Sequence, residues 1–108
     1  MKKMSNYVQL IGSVNSQVNV KRSINGKSYA RFNMCTCDYY RESGRRIIDR
    51  QIHRVVVWGR LAEELGRYLQ YGDEVVIDGS ITKYSINSRE ITEVLASSIL
   101  FPHKKQTA

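Results

Sequence analysis

The chain has 108 residues, 42% of them hydrophobic and 25% charged, and its 17 basic side chains outweigh 10 acidic ones for a net charge of +7. This fits one globular domain with a single modest core and excludes two. No apolar run approaches the roughly 20 residues that span a bilayer, and the opening MKKMSNYVQLIGSV lacks the unbroken apolar stretch of a signal peptide, so the expected compartment is the cytoplasm, without membrane contact.

In chain order, YVQLIGSV (Tyr7 to Val14) is rich in β-formers, with Gly12 as an expected bend or bulge. VNVKRS and KSYARFNMCTC flank Asn25-Gly26, a strong short-range hairpin signal. Within the second of these, Ala30, Phe32 and Met34 alternate toward one face, Arg31 and Asn33 toward the other. Cys35 and Cys37 then share a strand face about 6–7 Å apart, a poor geometry for a disulfide, and are expected to be free thiols. The polar DYYRESGRRIIDRQ, with Gly44 near its tip, reads as a loop.

Next comes IHRVVVWGRLAEEL, a strand that turns sharply into a helix. Alternation puts His53, Val55 and Val57 on one face and Ile52, Arg54, Val56 and Trp58 on the other. The first set suits a small barrel's interior. The second is poor for a sealed core and good for a nucleotide, because a flat ring stacks on any base while Arg54 meets phosphate. Packing of Trp58 against a loop or second subunit is the competing reading.

RLAEELGRYLQ places Leu61, Leu65 and Leu69 on one helical stripe, and Gly66 inside it costs about 1 kcal/mol against alanine unless packing requires closeness there. Tyr71-Gly72-Asp73 ends the helix. EVVIDGSITKYSI and REITEVLASSILF are two further strands joined by a tight Asn87-Ser88 turn. The expected architecture is all-β: a five-stranded barrel with one helix between strands 3 and 4.

The charge is unevenly spread. Nine Lys/Arg and three acids lie between Lys21 and Arg54, so this third of the chain carries +6, whereas five acids lie between Glu63 and Asp78. Such asymmetry points to a polyanion, most simply nucleic acid. Arg41, Arg45, Arg46 and Arg50 cluster beside the Tyr39-Tyr40 pair and are candidates for phosphate contact, as is Arg31. His53 reads as a structural histidine. No nucleophile-base set, phosphate loop, acidic pair or second Cys/His cluster suggests an enzyme, a cofactor or a metal.

The order of elements is that of the OB-fold, and from Asn6 to Phe101 the chain resembles a bacterial-type single-stranded DNA-binding protein. NYVQLIGSV, ARFNMCT, ITEV and above all HRVVVWGRLAEELGRYLQYGDEVVIDGSI carry the likeness. The resemblance implies sequence-independent binding and protection of single-stranded DNA in replication, recombination and repair, in a homotetramer, with no catalysis. It implies aromatic platforms at Tyr40 and Trp58. Ile52 stands where many members have a third aromatic, and either Tyr84 or Ile86 takes the position on the last hairpin.

On this reading residues 1–103 are the binding domain and 104–108 a short basic, disordered end. The family's long acidic tail, which recruits repair and replication proteins, has no counterpart in FPHKKQTA: either tail-mediated recruitment is not expected or the sequence is a truncated form of a longer chain. The alternative is a primosome-type OB-fold accessory protein that acts mainly as a scaffold for protein partners.

Overall fold

The computed structural model describes residues 5–100. Period-two alternation becomes strands: β1 (Val8–Val14), β2 (Asn19–Arg22), β3 (Ser28–Glu42) and β4 (Arg45–Trp58) precede helix α1 (Arg60–Tyr68), and β5 (Glu74–Ile86) and β6 (Arg89–Leu100) follow it. They form one sheet in the order β1-β5-β6-β4-β3-β2, and pairing of β1 with β3 closes it into a barrel. Among the described residues only the β4–β6 ladder is parallel, with Val55 and Val56 opposite Val94 and Leu95.

The barrel wall has the expected five strands, β1, β3, β4, β5 and β6, with α1 between the third and fourth of them. Among the described residues one further segment, β2, is an edge on β3 formed by the Asn25-Gly26 hairpin, and its four residues are all exposed. One expectation needs correction, that of a polar loop after Cys37. This segment is a two-stranded arm in continuous register from Cys37–Arg50 to Glu42–Arg45. Ser43 (φ 52°) and Gly44 (φ 78°) close it with the two positive φ angles of a tight hairpin turn. Because the arm projects from the barrel, neither face alternates toward a core.

Inside the wall, Val14, Ala30, Phe32, Met34, Val55, Val57, Val75, Ile77, Val94, Ala96 and Ile99 form one cluster. The helix closes one end with Ala62 and Leu65, and Leu69 follows just beyond it, while Leu61 is only partly buried. The buried stripe is thus turned slightly from the expected Leu61-Leu65-Leu69 line. Gly66 has the packing reason its position required: a Cβ there would come within 2.5 Å of Val20 Cγ2 on β2. Among the described residues, no helix is long and apolar enough to cross a membrane. The expected basic end, 104–108, lies outside the described residues.

Candidate nucleic-acid interface

The β3–β4 register decides which side chains share a surface. Cross-strand partners point the same way, and the direction alternates along the ladder. The pairs Tyr29–Trp58, Arg31–Val56, Asn33–Arg54, Cys35–Ile52, Cys37–Arg50, Tyr39–Ile48 and Arg41–Arg46 therefore line one side of the ribbon. Over the barrel this is the outer side, since Ala30, Phe32, Met34, Val55 and Val57 alternate with them into the core.

Gly59 fixes Trp58 at one end of this row. Its φ of 79° and ψ of −147° belong to a region open essentially to glycine, and its carbonyl accepts from Ala62 N–H at 3.0 Å, so strand passes into helix within one residue. Its N–H donates to the Ser28 carbonyl at 2.8 Å, tying the corner to β3. Trp58 is left 44% exposed. Its ring lies 5.0 Å from that of Tyr29, centroid to centroid, with the planes tilted by 35°. The Arg31 guanidinium stands 5.3 Å from the Tyr29 centroid, a second layer on the same stack.

A carboxylate lies at the centre of the row. Glu93 on β6 is 2% exposed; its Oε2 accepts from Arg31 Nε at 2.8 Å and pairs with Arg54 Nε at 3.3 Å. Its Oε1 accepts from Arg31 Nη2 at 3.5 Å. The hydrogen bond to Glu93 is the largest cause holding the Arg31 pKa above its ordinary value. Two cations over one anion leave one net positive charge here. Tyr84, paired with Ile91 two residues along from the Thr82–Glu93 pair, shares this surface and interacts electrostatically with Arg31.

The surface is concave beside the arginines. Ser16, Gln17 and Asn19 face Arg31, Asn33 and Arg54 across a hollow of about 380 Å³. Trp58 borders two more, one of about 580 Å³ with Leu61, Ser80 and Leu95, the other of about 550 Å³ with Lys27 and Arg60. Farther out, Arg46 stacks over Tyr39 at 4.9 Å from the ring centroid. Flat rings, guanidinium groups and hollows of this size can take bases by stacking and phosphates by charge.

Of the residues singled out in the sequence, Trp58, Arg54, Arg31, Ile52, Arg50, Arg46 and Arg41 lie on one side of the ribbon, and Tyr84 joins them from β5. Tyr40 and Arg45 belong to the pairs Tyr40–Ile47 and Glu42–Arg45 on the reverse side of the arm. Val56 departs from its expected setting: it is 4% exposed, yet outside the core cluster, flanked by Arg31 and Leu95. Three participants escaped the sequence reading. Tyr29 carried a signal, since it has the parity of Arg31 and Asn33. Tyr39 was passed over in favour of its neighbour Tyr40, where the resemblance put the aromatic platform. Glu93 gave none, because one acid in an apolar run looks like any solvated charge.

His53 is half-buried on the inward parity, with Nε2 2.9 Å from Thr36 Oγ1. Cys35 and Cys37 are free thiols. Desolvation first, then its contact with Cys37, raises the Cys35 pKa and keeps that thiol protonated. Among the described residues, no cluster of three or more His, Cys, Asp or Glu could hold a metal ion.

A small closed β-barrel with one helix and a basic, aromatic outer face defines an OB-fold binding module. The comparisons narrow the class: the pattern of the Single-strand binding protein family matches residues 5–102, and the chain belongs to that family. Over 77 residues it is 31% identical to Single-stranded DNA-binding protein 1 of Chlorobaculum tepidum, covering 70% of this chain and 48% of that one. It is 28% identical to Single-stranded DNA-binding protein 1 of Xylella fastidiosa, over 94% of this chain and 79% of the relative. The chain thus spans about half the length of the first relative and most of the second. Among solved structures, the Plasmodium falciparum SSB in complex with ssDNA superposes with a TM-score of 0.82 at 25% identity, covering 94% of this chain and 97% of that one. A deletion mutant of the Thermus aquaticus single-stranded DNA binding protein gives 0.78 at 25% identity, covering 88% and 49%.

Proposed function

We propose that this chain binds single-stranded DNA without regard to sequence and protects it during replication, recombination and repair, without catalysis or a cofactor. The observation that carries the proposal is the continuous row Trp58, Tyr29, Arg31, Glu93 and Arg54, in which two stacked rings are followed by two exposed cations held over one buried anion. The similarity to a relative solved with ssDNA supports it. Phosphates are captured by Arg31, Arg54, Arg50, Arg46 and Arg41, and bases stack on Trp58, Tyr39 and Tyr84. Ile52 offers an apolar contact between them. Tyr40 and Arg45 are reached by a strand that wraps round the arm.

The acting unit in this proposal is a homotetramer. Val8 to Gly12 pair with β5 along one edge, and among the described residues the opposite edge has no strand partner. Ile11, Val76 and Leu100 lie in register across the outer face of β1, β5 and β6, with Ile11 and Leu100 exposed. An apolar stripe beside an open edge suits a second copy of the chain.

Titration of a labelled oligo-dT at two salt concentrations, with duplex as competitor, tests the function. Binding should favour single strands, and each neutralised phosphate should contribute about −0.7 to the log–log salt slope. Equal binding to duplex, or affinity that ignores salt, would sink the groove. Weak DNA binding beside tight binding of a protein partner would favour the accessory-scaffold alternative.

A further inference from the structure

A buried carboxylate in a surface meant for a polyanion is an electrostatic liability. At 2% exposure Glu93 has given up its hydration, and its charge opposes every phosphate that approaches. Its two arginines are far more open, with side chains 37% and 53% exposed. The contact geometry gives this arrangement a purpose. Glu93 holds Arg31 through Nε and Nη2, the inner side of that guanidinium, and holds Arg54 through Nε alone. Among the described residues, Nη1 of Arg31 and both Nη groups of Arg54 are left unengaged.

The geometry points to Glu93 as a positioning residue that makes one phosphate-binding fork of Arg31 and Arg54; the inference rests on the single-strand reading above. A free arginine loses several rotatable bonds' worth of freedom when it grips a phosphate. Here part of that ordering is in place before DNA arrives, because a single buried carboxylate accepts hydrogen bonds from one guanidinium and ion-pairs with the other from below. Anchor and arginines come from three strands, β6, β3 and β4, so the barrel itself sets their spacing. The tether to Arg31 also holds its guanidinium against Tyr29, which in turn backs Trp58, coupling the phosphate fork to the stacking platform.

The proposal and plain electrostatics predict opposite signs. Glu93→Gln keeps the shape and removes one negative charge. If Glu93 were only a countercharge, this variant would bind oligo-dT more tightly, with a steeper salt slope. As a positioning residue, its loss should weaken binding about tenfold with a slope no steeper than wild type, and Arg31→Ala should then cost much less in the Glu93→Gln background than in wild type. Glu93→Asp keeps the charge but draws the carboxylate back from both Nε groups, so it should weaken binding too.

Both variants are compared with the full wild-type chain by fluorescence anisotropy, with thermal unfolding confirming the fold. Tighter or unchanged binding by a folded variant overturns the inference alone. Should Glu93→Gln not fold, Glu93→Asp carries the test, since a charge-only role predicts wild-type affinity for it. Failure of both to fold assigns Glu93 to the framework and overturns the proposal. A wild-type chain that does not bind oligo-dT overturns the single-strand reading and this inference together.

Discussion

Trp58 and Tyr29 sit opposite each other on β4 and β3, ring centroids 5.0 Å apart and planes inclined at 35°. The tyrosine backs one side of the indole, and the indole stays 44% exposed to whatever approaches from outside the barrel. An isolated surface tryptophan would have to be ordered by its ligand. This one is held by a neighbouring ring and by the Gly59 corner.

Adding oligo-dT should therefore quench the fluorescence of this sole tryptophan. Trp58→Ala should weaken binding by about 1–3 kcal/mol, the worth of one stacked base, and Trp58→Phe should keep much of the affinity. The barrel should survive both changes, because Val55 and Val57 carry the core on the opposite face. Unfolding or dissociation of Trp58→Ala, with normal binding by the folded fraction, would make Trp58 a packing residue.

Tyr39 and Tyr40 should differ in a length-dependent way. Tyr39 shares the side of Trp58 and lies under Arg46, whereas Tyr40 pairs with Ile47 on the reverse of the arm. Tyr39→Ala should weaken binding of short and long oligonucleotides alike. Tyr40→Ala should matter only for strands long enough to wrap the arm. Equal losses for the shortest oligonucleotide that binds would contradict the assignment of sides.

The outer stripe of Ile11, Val76 and Leu100 should hold copies of the chain together. Sedimentation of the wild type at micromolar concentration should show a tetramer. Ile11→Glu sets an unpaired charge in that stripe and should reduce the assembly without unfolding the barrel, since Ile11 is outside the core cluster. A wild-type monomer at that concentration would remove the tetramer from the proposal.

Acid should loosen the junction of β1 with β5. Hydrogen bonds from Tyr7 at 2.7 Å and Gln9 at 2.9 Å, then Ser98 at 3.2 Å, lower the Asp78 pKa from its ordinary 3.8. A lowered folded pKa contributes stability that is present above 3.8 and is lost as pH falls through the lower folded value. Tyr7 has the mirror behaviour: its hydrogen bond to Asp78 is the first cause raising its pKa, so its contribution is present below 10.0 and lost as pH rises through the raised value. Unfolding midpoints followed below about pH 4 should fall less steeply for Asp78→Asn than for wild type. Parallel acid limbs would refute the role.

The sequence by itself determined the strand-to-helix corner at Gly59, the inward set Ala30, Phe32, Met34, Val55 and Val57, and the sharing of one face by Arg54 and Trp58. Each follows from a period of two or from glycine's backbone freedom, and both act over a few residues. Gly66 was legible as an anomaly, though only the approach of Val20 gives its reason.

Tertiary structure alone decided the rest. The β3–β4 arm was illegible because a hairpin exposed on both sides has no buried face to impose alternation. That Tyr39, and not Tyr40, lies on the side of Trp58 follows from alternation along β3, but only because the strand runs unbroken from Ser28 to Glu42 through the segment that reads as a loop. Glu93 is the clearest case. Its burial comes from the parallel contact of β6 with β4, and its two partners, Arg31 and Arg54, stand 62 and 39 positions earlier in the chain. Closure of the barrel brings one acid under two arginines, and a charge pattern read along the chain has no means of recording that meeting.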